Sequence, residues 1–297
     1  MADTIYHYPI GLTVFSTPNE LELRAGDLKP CREKPTREEL LSYYVRLSLK
    51  EDLNIRTEEE ALTIERIIDQ GQGEFEIHTT RTSYSAARVL VAIGGLARPR
   101  RLGAPGEELP KVYDRFTEAY PYVRKDALVV GGGNSAAEAA LFLSEEGAHT
   151  TLAIWPSDWE NLDPKKGAIK QWVRTPLERQ IETGQLRLLL FERVEEIGER
   201  TVRILTSGNE SVEVPNDVVF VLIGSDPDLS ILRQAGVEIA QVGLSEVPFY
   251  DPETFETNVP GIYVAGHFTN ARHIKDAIEV PRRIVPQIAH SLRAIVA

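Results

Sequence analysis

The chain is poor in sulfur. Its 297 residues include one cysteine, Cys31, and one methionine, Met1. A lone cysteine forms no disulfide within the chain, and it excludes a CxxC redox pair and any zinc site built from several cysteines. Such usage points to a reducing, cytoplasmic setting. Basic residues are also in deficit, 33 against 45 acidic, for a formal net charge of −12. That balance argues against nucleic acid or an anionic membrane surface as the main partner, while a local basic pocket stays allowed. No stretch reaches the roughly 18 uninterrupted apolar residues of a membrane span. The opening from Met1 to Pro9 has neither a basic segment nor an apolar core, so no secretory signal is expected there. The histidines (His7, His78, His149, His267, His273 and His290) show no ligand spacing, and no metal site is read from them.

What the chain does contain is alternating strand and helix signals. Residues 1–35, broken by Pro9, Pro18, Pro30 and Pro35, read as irregular. Thr36 and Glu39 then form a capping box, and Leu40, Leu41, Tyr44 and Leu47 follow at helical spacing. Strands are expected at Ala61–Ile67, Glu74–Thr79 and Ala87–Ile93, the third continuously apolar from Val89 to Ile93 and so buried on both faces. Residues 96–125, with four prolines, read as a linker. A second block predicts strands at Ala127–Val130 and His149–Trp155 around a helix at Asn134–Glu146 that Gly147 stops. Helices fit between Pro164 and Glu182, followed by strands at Leu186–Phe191, Thr201–Thr206, Val212–Val214, Asp217–Ile223 and Gly261–Ala265. A final helix covers Lys275 to Ile295. The fold class is therefore α/β with parallel sheets.

The strongest local signal is the run from Leu128 to Ala140, which has the form GxGxxA with Gly131, Gly133 and Ala136 in place. A buried strand precedes it and a helix follows, which is the context of a dinucleotide-binding turn. The first glycine permits the tight turn, the second admits a pyrophosphate against the backbone, and the small third residue lets helix and strand pack closely. Free N–H groups at Asn134 and Ser135 open the helix toward the phosphates. The alternative is a plain glycine-rich βα turn. An acid just after the next strand favours NADH and an arginine there favours NADPH. The segment Ile154 to Glu160 contains no arginine, and its acids Asp158 and Glu160 are either ribose ligands or a solvated loop. Lys165, Lys166 and Arg174 are more distant candidates for a phosphate. The local reading leans to NADH.

Together these pieces resemble the two-domain flavoproteins related to thioredoxin reductase, and more narrowly the bacillithiol disulfide reductase family. The resemblance runs along the whole chain. It rests on Ile5–Pro9, on Phe15-Ser-Thr-Pro18 with Leu21-Glu-Leu23, and on Lys34–Glu39. It continues through Ala92-Ile-Gly94 with Pro99, Gly131–Ala136 and Gly224-Ser-Asp-Pro227, and ends at Lys275, Ile278, Glu279 and Arg282. It implies two Rossmann-like dinucleotide-binding domains, with an NAD(P)-binding domain at 119–250 inserted in an FAD-type domain made of 1–118 and 251–297. It implies hydride transfer from NADPH or NADH through FAD to a small-molecule acceptor such as a low-molecular-weight disulfide, with homo-oligomers as a family habit. By this match Thr17, Arg37, Gly94, Gly266, His267 and Lys275 lie near FAD. Gly131, Gly133, Asn134, Ser135, Ala136, Trp155, Asp158, Arg174 and Gly224 serve the nicotinamide nucleotide. No side chain is assigned as catalytic.

The departures from the family pattern are also informative. The family opens with a strand, a GxGxxG turn and a helix that seat the FAD pyrophosphate, and no such unit precedes Ile5, so the FAD domain is expected to be N-terminally incomplete. Cys31 does not match the family's cysteine, Ile93 replaces a threonine, His267 stands where aspartate is common, and Pro156 replaces an arginine. Two further readings therefore stand beside the flavoenzyme: a non-catalytic NAD(P)-binding module, and an inactive truncated flavoprotein.

Overall fold

A computed structural model of the chain describes residues 2–67, 75–163, 166–243, 245–269 and 274–296, with side chains as far as 292. Met1, Glu74, Pro164, Lys165 and His273 lie outside the described residues. The chain divides into two compact units, one of residues Met1–His7, Gly11–Arg98 and Asp226–Ala297, the other of Tyr8–Ile10 and Pro99–Ser225.

The first unit begins with α1 (Asp3–Tyr6), α2 (Pro18–Leu21) and α3 (Arg37–Lys50). The irregular stretch expected over residues 1–35 thus carries two single-turn helices. Pro18 sets the first helical residue of α2, and the Thr17 N–H and hydroxyl both donate to Glu20 Oε2, at 3.1 and 3.2 Å. At α3 the expected capping box is present: the Thr36 hydroxyl accepts from the Glu39 amide at 3.2 Å while Glu39 accepts from the Thr36 amide at 2.9 Å. Strands β1 (Ala61–Arg66), β2 (Phe75–Thr79) and β3 (Ser83–Ala86) form an antiparallel meander, whose third strand the apolar pattern does not announce. Next come β4 (Val89–Val91) and the two-residue β5 (Arg98–Pro99).

The second unit contributes β6 (Val112–Tyr113), β7 (Asp126–Val130), α4 (Asn134–Glu145), β8 (His149–Ile154), α5 (Pro156–Glu160) and α6 (Gln171–Glu182). It continues with β9 (Leu186–Ile197), β10 (Thr201–Thr206), β11 (Ser211–Pro215), β12 (Val218–Val221) and β13 (Ser225–Asp226). Its seven-stranded sheet has the order β11-β10-β9-β8-β7-β12-β6. Pairing is parallel from β9 through β8, β7 and β12 to β6, and antiparallel from β9 to β10 and β11. The sheet is buried on both sides. Ala127 and Val129 pack with α4 and α6 residues such as Ala139, Leu143 and Leu177, while Leu128 and Val130 pack with Phe191, Val202 and Ile204. Two buried faces are why β7 and β12 read as unbroken apolar runs. The expected linker 96–125 is not one throughout: Val112 and Tyr113 pair with Val219 and Phe220 as the edge strand β6. A two-residue strand between prolines carries no period-2 signal, so pattern reading misses it.

The first unit resumes with α7 (Ser230–Gln234), the hairpin β14 (Ile239–Val242) and β15 (Ser245–Pro248), then β16 (Ile262–Val264) and α8 (Ile274–Val296). β16 pairs in parallel with β4. Here one expectation is corrected. β4 is not buried on both faces: Val91 joins the core with Leu229, Leu232 and Val264, but Leu90 is 37% exposed. Alternate residues of a strand point to opposite faces, and among the described residues only one face of β4 is covered.

Candidate functional site

Within the second unit the chain turns away from β7 to β8 on one side and from β12 on the other, so their strand ends form the switch point of an open parallel sheet, where ligands bind outside the carboxyl ends of the strands. The glycine-rich turn sits there. Gly131 has φ +154°, and a Cβ on it would stand 2.3 Å from the Leu222 carbonyl oxygen and 2.9 Å from Ala136 Cβ. Only glycine fits between the β12 backbone and the first turn of α4. Around Gly133 a Cβ would meet nothing within 4 Å. The middle of the turn thus opens outward, as a backbone that receives a phosphate must. The first bond of α4 runs from the Ala137 N–H to the Gly133 carbonyl at 3.1 Å, so the amides of Asn134, Ser135 and Ala136 have no acceptor within the helix. These features fit a dinucleotide pyrophosphate.

The other expected residues of this unit fall into two groups. Asp158 comes to the turn: a Cβ on Gly132 would stand 2.0 Å from Asp158 Oδ2. Burial raises the Asp158 carboxyl above its ordinary value. Gly224, φ +96°, ends the loop after β12 and accepts the Arg100 amide at 3.0 Å. Asn134 Oδ1 accepts the Lys170 amide at 2.8 Å and so ties the turn to the start of α6. Trp155 and Arg174 each have partners within the unit. Trp155 donates its Nε1 hydrogen to the Glu192 carbonyl and packs on Phe191. Arg174 pairs with Glu178 at 2.7 Å, donates to the Trp159 carbonyl, and covers the Trp159 ring at 4.5 Å.

One titratable group escaped sequence reading. Glu138 on α4 is flanked by the buried residues Ala136, Ala137, Ala139 and Ala140, and burial pushes its carboxyl up to about 7. Its charge also helps raise the Tyr8 hydroxyl, whose first cause is burial. An acid set inside a run of alanines was the available signal.

In the first unit, parallel pairing of Val91 with Val264 brings the turns after β4 and β16 side by side. Gly94 (φ +71°) and Gly266 (φ +103°) begin those turns, and His267 lies across Gly95. Thr17 and Lys275 share one carboxylate, Glu20, which Lys275 approaches to 3.9 Å. Arg37 is mostly buried, donates from Nε to the Tyr6 carbonyl at 3.1 Å and pairs with Glu38. Cys31 is exposed, and the Glu39 carboxylate beside it pushes its thiol up, the reverse of what a nucleophilic thiol needs. Among the described residues no group of three or more metal-ligating side chains converges, and no helix is long and apolar enough to cross a membrane.

A family model described as pyridine nucleotide-disulphide oxidoreductase matches residues 1–266. The chain is 33% identical over 268 residues to the bacilliredoxin reductase Bdr of Bacillus subtilis (strain 168), covering 90% of this chain and 79% of that protein. Two solved structures, the bacillithiol disulfide reductases Bdr from Staphylococcus aureus and Bacillus cereus, superpose with TM-scores of 0.88. Their sequences are 29% and 30% identical, and each match covers 98% of this chain and 88% or 89% of theirs.

Proposed function

The chain belongs to the pyridine nucleotide-disulphide oxidoreductase family, and from that premise we propose that it is a flavin-dependent reductase of a small-molecule disulfide, with bacillithiol disulfide as the candidate acceptor. Its fold is the two-domain α/β fold of the Bdr structures, with Rossmann-like units. Members of the family are FAD- and NAD(P)H-dependent oxidoreductases. The observation that carries the proposal is the turn at Gly131–Ala136, built so that only glycine fits at its first position and so that its outer backbone stands open.

When bound, the two cofactors supply the redox chemistry: NAD(P)H and a proton reduce one disulfide to two thiols by way of the flavin, leaving NAD(P)+. The protein contributes positions and charges. The amides of Asn134, Ser135 and Ala136 would hold the pyrophosphate of the nicotinamide nucleotide, and the positive φ of Gly224 lets the chain turn as it leaves β12. In the first unit the adjoining turns at Gly94–Gly95 and Gly266–His267 form the platform for FAD. Thr17 and Lys275, joined through Glu20, and Arg37, joined to Tyr6, brace the segments around it. Two supports favour a small acceptor reduced at the flavin: the relatives named for bacillithiol disulfide reduction, and a lone cysteine with a raised pKa.

The test is direct. The full chain is mixed with FAD, desalted and examined for a retained flavin spectrum. Anaerobic NADH or NADPH should bleach that spectrum, and bacillithiol disulfide should restore it with release of two thiols per nucleotide oxidised. A chain that retains no flavin yet binds the nucleotide would replace this reading with a non-catalytic NAD(P)-binding module. A reduced flavin that the disulfide does not reoxidise would remove the acceptor assignment.

A further inference from the structure

We propose that Asp158 makes NADH rather than NADPH the nucleotide bound by the second unit; this rests on the nucleotide-binding reading of Gly131–Ala136. In a βαβ unit of this kind the adenosine ribose extends from the glycine-rich turn toward the end of the neighbouring strand. Here that strand is β8, paired with β7 from His149 opposite Asp126 to Ala153 opposite Val130. The chain then passes through Trp155 into α5, whose Asp158 amide donates to the Trp155 carbonyl at 3.0 Å. This short turn returns the Asp158 carboxylate onto the glycine turn. It lies so close that a Cβ on Gly132 would stand 2.0 Å from Oδ2 and 2.5 Å from Cγ. Asp158 thus joins the Lys170 amide in reaching the turn from the stretch between β8 and α6.

A carboxylate there accepts a hydrogen bond from a ribose 2′-hydroxyl, a charge-assisted bond of the stronger kind. A 2′-phosphate in the same position adds a second anion against the first, in a site partly shielded from water where repulsion is larger than in bulk. Two described cations that could offset this are engaged with other partners. Residues 154–163 include no lysine or arginine. Arg174 is engaged with Glu178, the Trp159 carbonyl and the Trp159 ring. Lys170 Nζ stands over the Trp172 ring at 5.4 Å. The second acid of α5, Glu160, adds charge of the same sign.

The experiment measures binding, not turnover. NADH and NADPH are titrated into the full chain by calorimetry, alongside the fragments 5′-AMP and 2′,5′-ADP, which differ only by the 2′-phosphate. NADH should bind about tenfold or more tighter than NADPH, and 5′-AMP tighter than 2′,5′-ADP in the same sense. Added salt should narrow the ratio by screening the repulsion. Asp158→Asn should bring the two dinucleotides to within about threefold, mainly by strengthening NADPH. Equal or tighter binding of NADPH by the unaltered chain, as Lys166 reaching the phosphate would produce, overturns the proposal and leaves the nucleotide site standing. So does an unchanged ratio in Asp158→Asn. Failure of the unaltered chain to bind any of the four ligands overturns both this proposal and the reading beneath it.

Discussion

The imidazole of His267 lies across Gly95, with Nδ1 only 2.3 Å from where a Cβ on residue 95 would stand. The two residues are about 170 positions apart in sequence and meet because parallel pairing of β4 with β16 sets their C-terminal turns side by side. Glycine at 95 is the groove that receives the ring. The proposed flavin platform is therefore one packed pair of turns, not two separate loops.

Gly95→Ala should displace that ring. Because the neighbour is a side chain that can rotate, the expected cost is moderate, about 1–2 kcal/mol. In a His267→Ala background the same substitution should cost much less, since its clash is gone. Urea unfolding of the two single variants and the double variant gives the coupling energy. Equal costs in both backgrounds would show that the two side chains do not meet.

The glycine turn of the second unit should separate stability from binding. Gly131→Ala places a methyl against the Leu222 carbonyl and the Ala136 side chain at a φ of +154°, so it should destabilise by about 2–4 kcal/mol. Gly133 has open space around it and an ordinary extended backbone, φ −97°. Gly133→Ala should therefore change stability by about 1 kcal/mol at most while weakening nucleotide binding about tenfold or more, because the methyl intrudes where the pyrophosphate meets the backbone. Unfolding curves and nucleotide titrations on both variants decide it. Unimpaired binding by Gly133→Ala would remove the phosphate role of the turn.

How much of this was legible in the sequence depends on whether the cause is local. The turn at Gly131–Ala136 and the cap at Thr36 and Glu39 are short-range steric and hydrogen-bonding solutions, and their residue types announce them. The β7 and β12 strands are likewise legible because two buried faces demand unbroken apolar runs. What escaped was set by distant partners. Val112 and Tyr113 become a strand only because β12 offers an edge. Leu90 sits in an apolar run, and such a run does not say how many faces will be covered. Burial of Glu138 comes from packing around α4, and contact of Asp158 with Gly132 comes from the register of β7 and β8. The partners of Trp155 and Arg174, Glu192 and Phe191 for the one and Glu178 and Trp159 for the other, are likewise not announced by the sequence.

Cys31 should be dispensable for disulfide reduction. It is exposed, and Glu39 raises its thiol rather than lowering it, so little thiolate is present near neutral pH. Cys31→Ser should leave the rate of nucleotide oxidation with a disulfide acceptor within about twofold of the unaltered chain. A loss of an order of magnitude or more would assign the thiol a chemical role and replace direct reduction at the flavin.

Glu138 should make stability fall with rising pH. Burial lifts its carboxyl from an ordinary 4.5 to about 7, so between those values the folded state holds a proton that the unfolded chain has released. The folded state then binds more protons than the unfolded one, and stability declines as pH rises through that window. The favourable contribution is complete below about 4.5 and lost above about 7. At about 1.4 kcal/mol per pKa unit the loss amounts to roughly 3 kcal/mol at most. Glu138→Gln is neutral throughout, so it should match the unaltered chain near pH 4.5 and exceed it in stability at pH 8. Its Tyr8 hydroxyl should titrate lower once the neighbouring carboxylate is gone. Urea unfolding at both pH values, with the tyrosinate absorbance followed in parallel, provides the check. An identical pH slope in the two proteins would mean that Glu138 is solvated in solution and ionises as an ordinary surface acid.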